Sequence, residues 1–147
     1  MTYALDSNII SYLLKNDSSV YFHLNKALDD GNRCIIPPVA YYEVKRGLLA
    51  VKATTKARGF DQLCSEFGIG RMNKLIWDEA IRIYGFLRGQ GKLIEDADIF
   101  IAAFCIFNNY TLVTHNVKHF ELIKKLNLID WVLDNQAQVP MIGNSEN

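Results

Sequence analysis

No apolar run in this chain approaches the roughly 18–20 residues that a membrane-spanning helix needs. The opening Met1-Thr2-Tyr3-Ala4-Leu5-Asp6 lacks the basic start and apolar stretch of a signal peptide. These two absences predict a cytoplasmic protein without a membrane segment. Cysteine is scarce: Cys34, Cys64 and Cys105 are odd in number and far apart. That scatter predicts reduced thiols, two of them in the core, and excludes a disulfide framework or a zinc site of ordinary spacing. Net charge is missing as well, with 16 Lys and Arg against 16 Asp and Glu. A neutral sum argues against a protein that coats nucleic acid. It leaves room for a nuclease, in which an acidic pocket and local basic patches cancel. There is no Gly-rich phosphate loop, and no Ser/His/Asp or Cys/His order that suggests a nucleophilic triad. Repeats, low-complexity tracts and linkers are also absent.

What is present is a chain of 147 residues, half of them hydrophobic. That length suits one domain with one core. Tyr3-Ala4-Leu5 is a short apolar run that stops at Asp6 and predicts a buried first strand. Ile9, Ile10, Leu13 and Leu14 form a helical stripe over residues 7–15. Ser18 or Ser19 is expected to cap a helix over about 20–30, ended by Gly31. Residues 33–36 predict a second strand, closed by Pro37-Pro38, and helices follow over about 39–51 and 54–67. Residues 68–72 predict a weak third strand, 75–90 a long amphipathic helix and 96–108 a strongly apolar one. A fourth strand is expected at 111–114, a short helix at 117–124 and a fifth strand at 128–131. Strands alternating with helices imply a three-layer α/β/α fold around a parallel sheet of about five strands, with right-handed crossovers. The domain is expected to span 1–133, followed by a polar tail over 134–147.

In an open parallel sheet, ligands bind at the carboxyl ends of the strands. Three such positions carry acids. Asp6 follows the first strand, Glu43 lies in the helix after the second, and Asp98, with Asp96 beside it, opens the helix before the fourth. Converging carboxylates repel one another and need a counter-charge. A hard divalent cation supplies it; magnesium takes one or two carboxylates plus waters, and it can polarise a phosphodiester and activate water. Each acid has a plainer reading too. Asp6 can cap the first helix, Glu43 can be a solvated helix residue, and Asp96 and Asp98 can complement a helix dipole. Asp98 is harder to dismiss, because Ile99, Ile101, Ala102 and Ala103 around it read as buried.

Tyr3-Ala4-Leu5-Asp6-Ser7-Asn8-Ile9-Ile10 resembles the opening motif of PIN domains, with Ser7 where threonine is usual. Pro37-Pro38-Val39-Ala40-Tyr41-Tyr42-Glu43-Val44-Lys45-Arg46-Gly47-Leu48 is similar to the second motif, Asp98-Ile99-Phe100-Ile101-Ala102-Ala103 to the third, and Thr111-Leu112-Val113-Thr114-His115-Asn116-Val117-Lys118-His119-Phe120 to the fourth. Order and spacing hold from Thr2 to about Trp131, and together they resemble the VapC toxins. The resemblance implies an endoribonuclease that uses magnesium, with manganese able to substitute, and leaves a 3′ hydroxyl and a 5′ phosphate. It implies Asp6, Glu43 and Asp98 as catalytic metal-site acids, and Ser7, Asn8 and Thr114 as supporting hydrogen-bonders. It further implies a structured RNA substrate such as a transfer-RNA anticodon loop, a homodimer, and a cognate VapB-type antitoxin that holds the toxin inactive.

One position departs from the pattern: Asn116 stands where many PIN domains have aspartate. Either the site binds one metal well and a second weakly, or Asp96 compensates. Among the basic residues, Lys45 and Arg46 are the best candidates for RNA phosphate, since they neighbour Glu43. Tyr12, Tyr41 and Tyr42 can stack on a base or pack the core or a dimer face. His115 and His119 read as surface residues, with His115 a candidate phosphate neighbour. Two rivals stand beside the nuclease reading. One is a haloacid-dehalogenase-like phosphatase with Asp6 as nucleophile, for which Asn8 is the wrong residue two places on. The other is a non-catalytic PIN-like binding module, against which the three intact acids argue.

Overall fold

The computed structural model describes residues 1–132, so the expected tail over 134–147 lies outside the described residues. The elements run β1 (Thr2–Leu5), α1 (Ser7–Leu14), α2 (Ser18–Asp29), β2 (Arg33–Ile35), α3 (Pro38–Ala50), α4 (Thr54–Phe67), α5 (Lys74–Gly89), α6 (Asp96–Asn108), β3 (Thr111–Val113), α7 (Val117–Phe120) and β4 (Asn127–Ile129).

Local chemistry sets most boundaries. Pro38 opens α3, where a missing N–H costs nothing. Asn73 caps α5 by accepting from the Ile76 N–H at 2.9 Å. Asn109 ends α6 in the left-handed region at φ 57°. The cap of α2 differs from expectation: Asp17 accepts from the Val20 N–H at 3.0 Å, and the helix begins earlier, at Ser18. Ser19 is buried, and its hydroxyl donates to the Trp131 carbonyl at 2.8 Å instead. The helix expected over 117–124 is shorter, ending at Phe120, where successive turns carry Ile123 and Leu126 into the core.

The strands pair in parallel in the order β2-β1-β3-β4. β1 is central, with Ala4 opposite both Ile35 and Leu112. The ladder continues past the strand ends: the Asp6 N–H donates to the Val113 carbonyl at 3.0 Å, and the Thr114 N–H to that of Ile129 at 3.0 Å. Residues 68–72, expected as a strand, contribute one parallel bridge, Ile36 to Ile69, at the β2 edge. The extension is short for two local reasons. Gly68 has φ +85°, outside the extended region, and Gly70 lies so close to the Phe104 ring that a Cβ there would overlap it. Helices cover the sheet in a three-layer α/β/α arrangement. The core runs from Ala4, Leu5, Leu112 and Val113 of the sheet into Ile99, Ile101, Ala102, Ala103, Phe104 and Cys105 of α6. Cys34 and Cys105 are buried free thiols, and burial pushes the Cys34 thiol up to about 12. No described helix is long and apolar enough to cross a membrane.

Candidate active site

Asp6 directly follows β1, and the residue is only 2% exposed. Its backbone is still extended, at φ −67° and ψ 158°, and its Oδ1 accepts from the Ser7 N–H at 2.8 Å. Asp6 therefore does cap α1. Its other oxygen has a different task. Oδ2 accepts from the Thr114 hydroxyl at 2.7 Å and from Asn8 Nδ2 at 3.3 Å. Thr114 is fully buried, directly after β3, and its Oγ1 accepts in turn from the Asn116 N–H at 3.0 Å. The Asn8 Oδ1 accepts from the His115 N–H at 3.0 Å. The ends of β1 and β3 are thus joined through side chains, and among the described residues Oδ1 of Asp6 keeps one acceptor position without a protein donor.

Glu43 and Asp98 come to the same end of the sheet, from α3 and α6. All three carboxyls are held above their ordinary values. For Asp6 the main cause is burial; Thr114, the Ser7 N–H and Asn8 oppose it, and the charge of Asp98 adds to it. For Glu43 burial again leads, with Ser7 opposing, the charges of Asp6 and Asp98 adding, and Arg46 relieving. For Asp98 burial leads and His119 relieves, through a 3.1 Å contact between its Nδ1 and Asp98 Oδ2. Mutually repelling, partly desolvated carboxylates at one strand end are a donor set that suits a hard divalent cation. Among the described residues no group of three or more His, Cys, Asp or Glu side chains is drawn together closely enough to hold a metal ion.

The other expected residues fall into two groups. Ser7, Asn8 and Thr114 are joined to Asp6 or Glu43, as above. Asn116 is exposed, and only its backbone N–H enters the network. Asp96 is exposed two residues from Asp98, a spacing that puts side chains on different sides of a helix. It is absent from the charges acting on the three acids; Glu95 is the neighbour that presses on Asp98. Lys45 pairs with Asp61 of α4 and is turned to that helix. Arg46 is free of ion pairs among the described residues and lies over the Tyr42 ring, 4.9 Å from its centroid, within reach of Glu43. The tyrosines separate as well. Tyr41 stacks on buried Phe60, and Tyr12 meets His115 edge-on, while Tyr42 is 59% exposed.

His119 on Asp98, and His115 on Asp130 at 3.0 Å, are contacts that sequence reasoning missed. Each joins residues distant in the chain.

With this geometry in view, the comparisons with known proteins are specific. The PIN domain family matches residues 3–126. Ribonuclease VapC1 of Haemophilus influenzae (strain R2866) is 32% identical over 136 residues, spanning 89% of this chain and 98% of that protein. Ribonuclease VapC2 of Rickettsia felis is 30% identical over 138 residues, with 89% and 98% covered. Among solved structures, VapBC2 from Rickettsia felis bound to a DNA fragment from its promoter superposes with a TM-score of 0.83 at 28% identity, covering 90% of this chain and 100% of that one. VapBC-1 from nontypeable Haemophilus influenzae gives 0.80 at 30% identity, covering 89% and 98%.

Proposed function

Because the chain belongs to the PIN domain family, in its VapC ribonuclease branch, we propose that it is a metal-dependent endoribonuclease toxin that cleaves structured RNA to inhibit translation. The observation that carries this reading is the convergence of Asp6, Glu43 and Asp98 at the carboxyl end of a parallel sheet, each acid raised by burial, Asp6 also by the charge of Asp98 and Glu43 by those of Asp6 and Asp98. The three acids would hold magnesium, with manganese as a substitute. When bound, the cation polarises the scissile phosphodiester and lowers the pKa of water.

The chain's own residues do the positioning. Thr114 and Asn8 fix one oxygen of Asp6 and the Ser7 N–H the other, so the carboxylate meets the substrate side in one orientation. Arg46 supplies a guanidinium beside the acids for RNA phosphate, and exposed Tyr42 offers a face on which an unpaired base can stack. Lys45 serves this role less directly, since Asp61 already holds it. The phosphatase rival gains nothing from the fold: Asn8, in place of an acid, donates its amide to Asp6.

The proposed partners are a VapB-type antitoxin, a second copy of the chain, and an RNA loop such as a transfer-RNA anticodon loop, in the cytoplasm. Support for protein partners comes from the complexes formed by the relatives and from exposed Leu75, Trp77, Ile81 and Phe86 along α5.

The test is RNA cleavage by the purified protein over a magnesium series. Asp6→Asn and Glu43→Gln are expected to cut at least about a hundredfold more slowly, the usual scale for losing a group that stabilises developing charge, with the fold intact by circular dichroism. Cleavage that persists in EDTA, or a fully active Asp6→Asn variant, would overturn the reading.

A further inference from the structure

A cavity of about 350 Å³ lies beside the acids, lined by Leu93, Ile94, Glu95 and His119. His119 ties it to the site: its Nδ1 is 3.1 Å from Asp98 Oδ2, and about half of the side chain stays exposed. The His119 N–H donates to the Asn116 carbonyl at 3.0 Å, and the next residue, Phe120, is fully buried, so the ring is carried on an anchored backbone. The other three lining residues belong to the connection between α5 and α6, which is held at both ends. The Lys92 N–H donates to the Leu87 carbonyl at 3.0 Å, and the Glu95 carbonyl accepts from the N–H of buried Ile99 at 3.2 Å. Ile94 packs on the core, whereas Leu93 is 51% exposed.

This lining is chemically selective. It contains no lysine or arginine and does contain an acid, so nothing in it holds a phosphate. A purely apolar side chain would desolvate the Glu95 carboxylate without giving it a donor, which is costly. Two aliphatic side chains, one flat ring and one acceptor-only carboxylate suit an unpaired base, which has apolar faces and N–H donors on its edge. Glu95 stands at the cap position of α6, yet its side chain makes no cap bond, which leaves its oxygens open to a ligand. Guanine presents two adjacent donors, N1–H and N2–H, on its pairing edge. Adenine, cytosine and uracil each set an acceptor beside their donor, and that acceptor repels the second carboxylate oxygen.

We propose that this cavity is a base-recognition subsite, in which Glu95 reads an unpaired guanine of the RNA while His119 and Leu93 pack on its faces. The proposal rests on the ribonuclease reading above and names a specificity determinant for it. Its position follows from the contact with Asp98. His119 alone stands between the cavity and that acid, so the guanine lies close to the scissile phosphodiester and at a fixed place along the strand.

The experiment measures base preference in two ways. Binding is followed by fluorescence anisotropy in EDTA, with the labelled pentanucleotides UUGUU, UUAUU, UUCUU and UUUUU. Cleavage is followed in magnesium on a hairpin RNA with a randomised loop, by sequencing the ends produced. Wild type, Glu95→Gln and Glu121→Gln are compared; Glu121 is an exposed acid two residues from His119 that does not line the cavity. Wild type and Glu121→Gln are expected to bind UUGUU roughly ten- to a hundredfold more tightly than the other three, the scale of hydrogen bonds to a charged group. Their cuts should carry guanine at one fixed distance from the scissile bond. Glu95→Gln is expected to lose most of that preference, because its amide keeps one acceptor and turns an N–H₂ toward the second donor of guanine. Its affinity for UUAUU should hold. The ratio between bases is decisive, since any change in metal affinity alters the cleavage of every RNA alike. A wild type that binds the four RNAs equally, or none of them, overturns the subsite, as does a Glu95→Gln variant that keeps the guanine preference. If the preference appears in EDTA but no RNA is cut in magnesium, the ribonuclease reading falls while the base site stands. Cleavage with no guanine preference removes the subsite and keeps the ribonuclease reading.

Discussion

Thr114 donates its hydroxyl to Asp6 across 2.7 Å, joining the residue that follows β3 to the residue that follows β1. This bond spans 108 positions of chain and is buried at both ends. A hydrogen bond to a charged group contributes about 1.5–3 kcal/mol. Thr114→Val keeps the shape and removes the hydroxyl. It is expected to slow RNA cleavage by roughly ten- to a hundredfold, whereas Thr114→Ser, which keeps the oxygen, stays close to wild type. Single-turnover rates on one RNA would check the pair, and equal rates for the valine and serine variants would show that the bond does not matter.

The raised carboxyl values of Asp6, Glu43 and Asp98 make a statement about stability. Between the ordinary value and the raised one, the folded chain binds more protons than the unfolded chain. Linkage then makes the contribution of these groups fall as pH rises from about 4 through the native values, and it stays low above them. Asp6→Asn removes one such group. In EDTA at about pH 7.5 the variant is expected to melt at or above wild type, an advantage that shrinks as pH falls through the raised native value and vanishes only well below about pH 4, where the wild-type carboxyl is protonated in both states. Melting curves across pH provide the check; a variant less stable at neutral pH than at acid pH, relative to wild type, contradicts it.

Asn116 and Asp96 can be separated by charge substitution. Asn116→Asp puts a carboxylate beside the Thr114–Asp6 network and is expected to tighten manganese binding by roughly 1–2 kcal/mol, after desolvation is subtracted from one added charge contact. Asp96→Asn is expected to leave metal affinity nearly unchanged, because Asp96 is exposed and outside the set of interacting acids. Titration of both variants checks this. The opposite ranking would mean that Asp96 supplies the missing charge.

Gly70 is held against the Phe104 ring, where even a methyl group overlaps. Gly70→Ala is expected to cost about 1–3 kcal/mol of stability, the usual range for overpacking a core. Urea unfolding would measure it. A neutral result would mean that the aromatic ring moves aside freely.

Much of the site was legible because its signals are local. The run Tyr3-Ala4-Leu5 ends at an acid, and that acid lies at the end of β1. The apolar stretch after Asp98 reads as a buried helix because almost every residue of it is apolar, and α6 is buried in that way. Other features were not legible, because the deciding neighbour lies elsewhere. Residues 68–72 have the composition of a weak strand, but the approach of Gly70 to Phe104 and the φ of Gly68 stop the pairing after one bridge. Ser19 had the chemistry of a cap, yet the carbonyl of Trp131 took its hydroxyl. Lys45 and Arg46 are adjacent and look alike in sequence; only the position of Asp61 on α4 distinguishes them.

By itself the sequence determined which residues could carry the chemistry, because strand ends, helix starts and motif spacing depend on neighbours a few places apart. The tertiary structure alone decided which of them meet. Pairing Tyr3 with Thr111 carries Asp6 to Thr114, and a slip of one residue would turn each side chain to the other face of the sheet. The same packing sets His119 on Asp98 and leaves Asp96, two residues from that aspartate, facing solvent. Such contacts follow from strand register and helix rotation, which are properties of the assembled core rather than of any short stretch of chain.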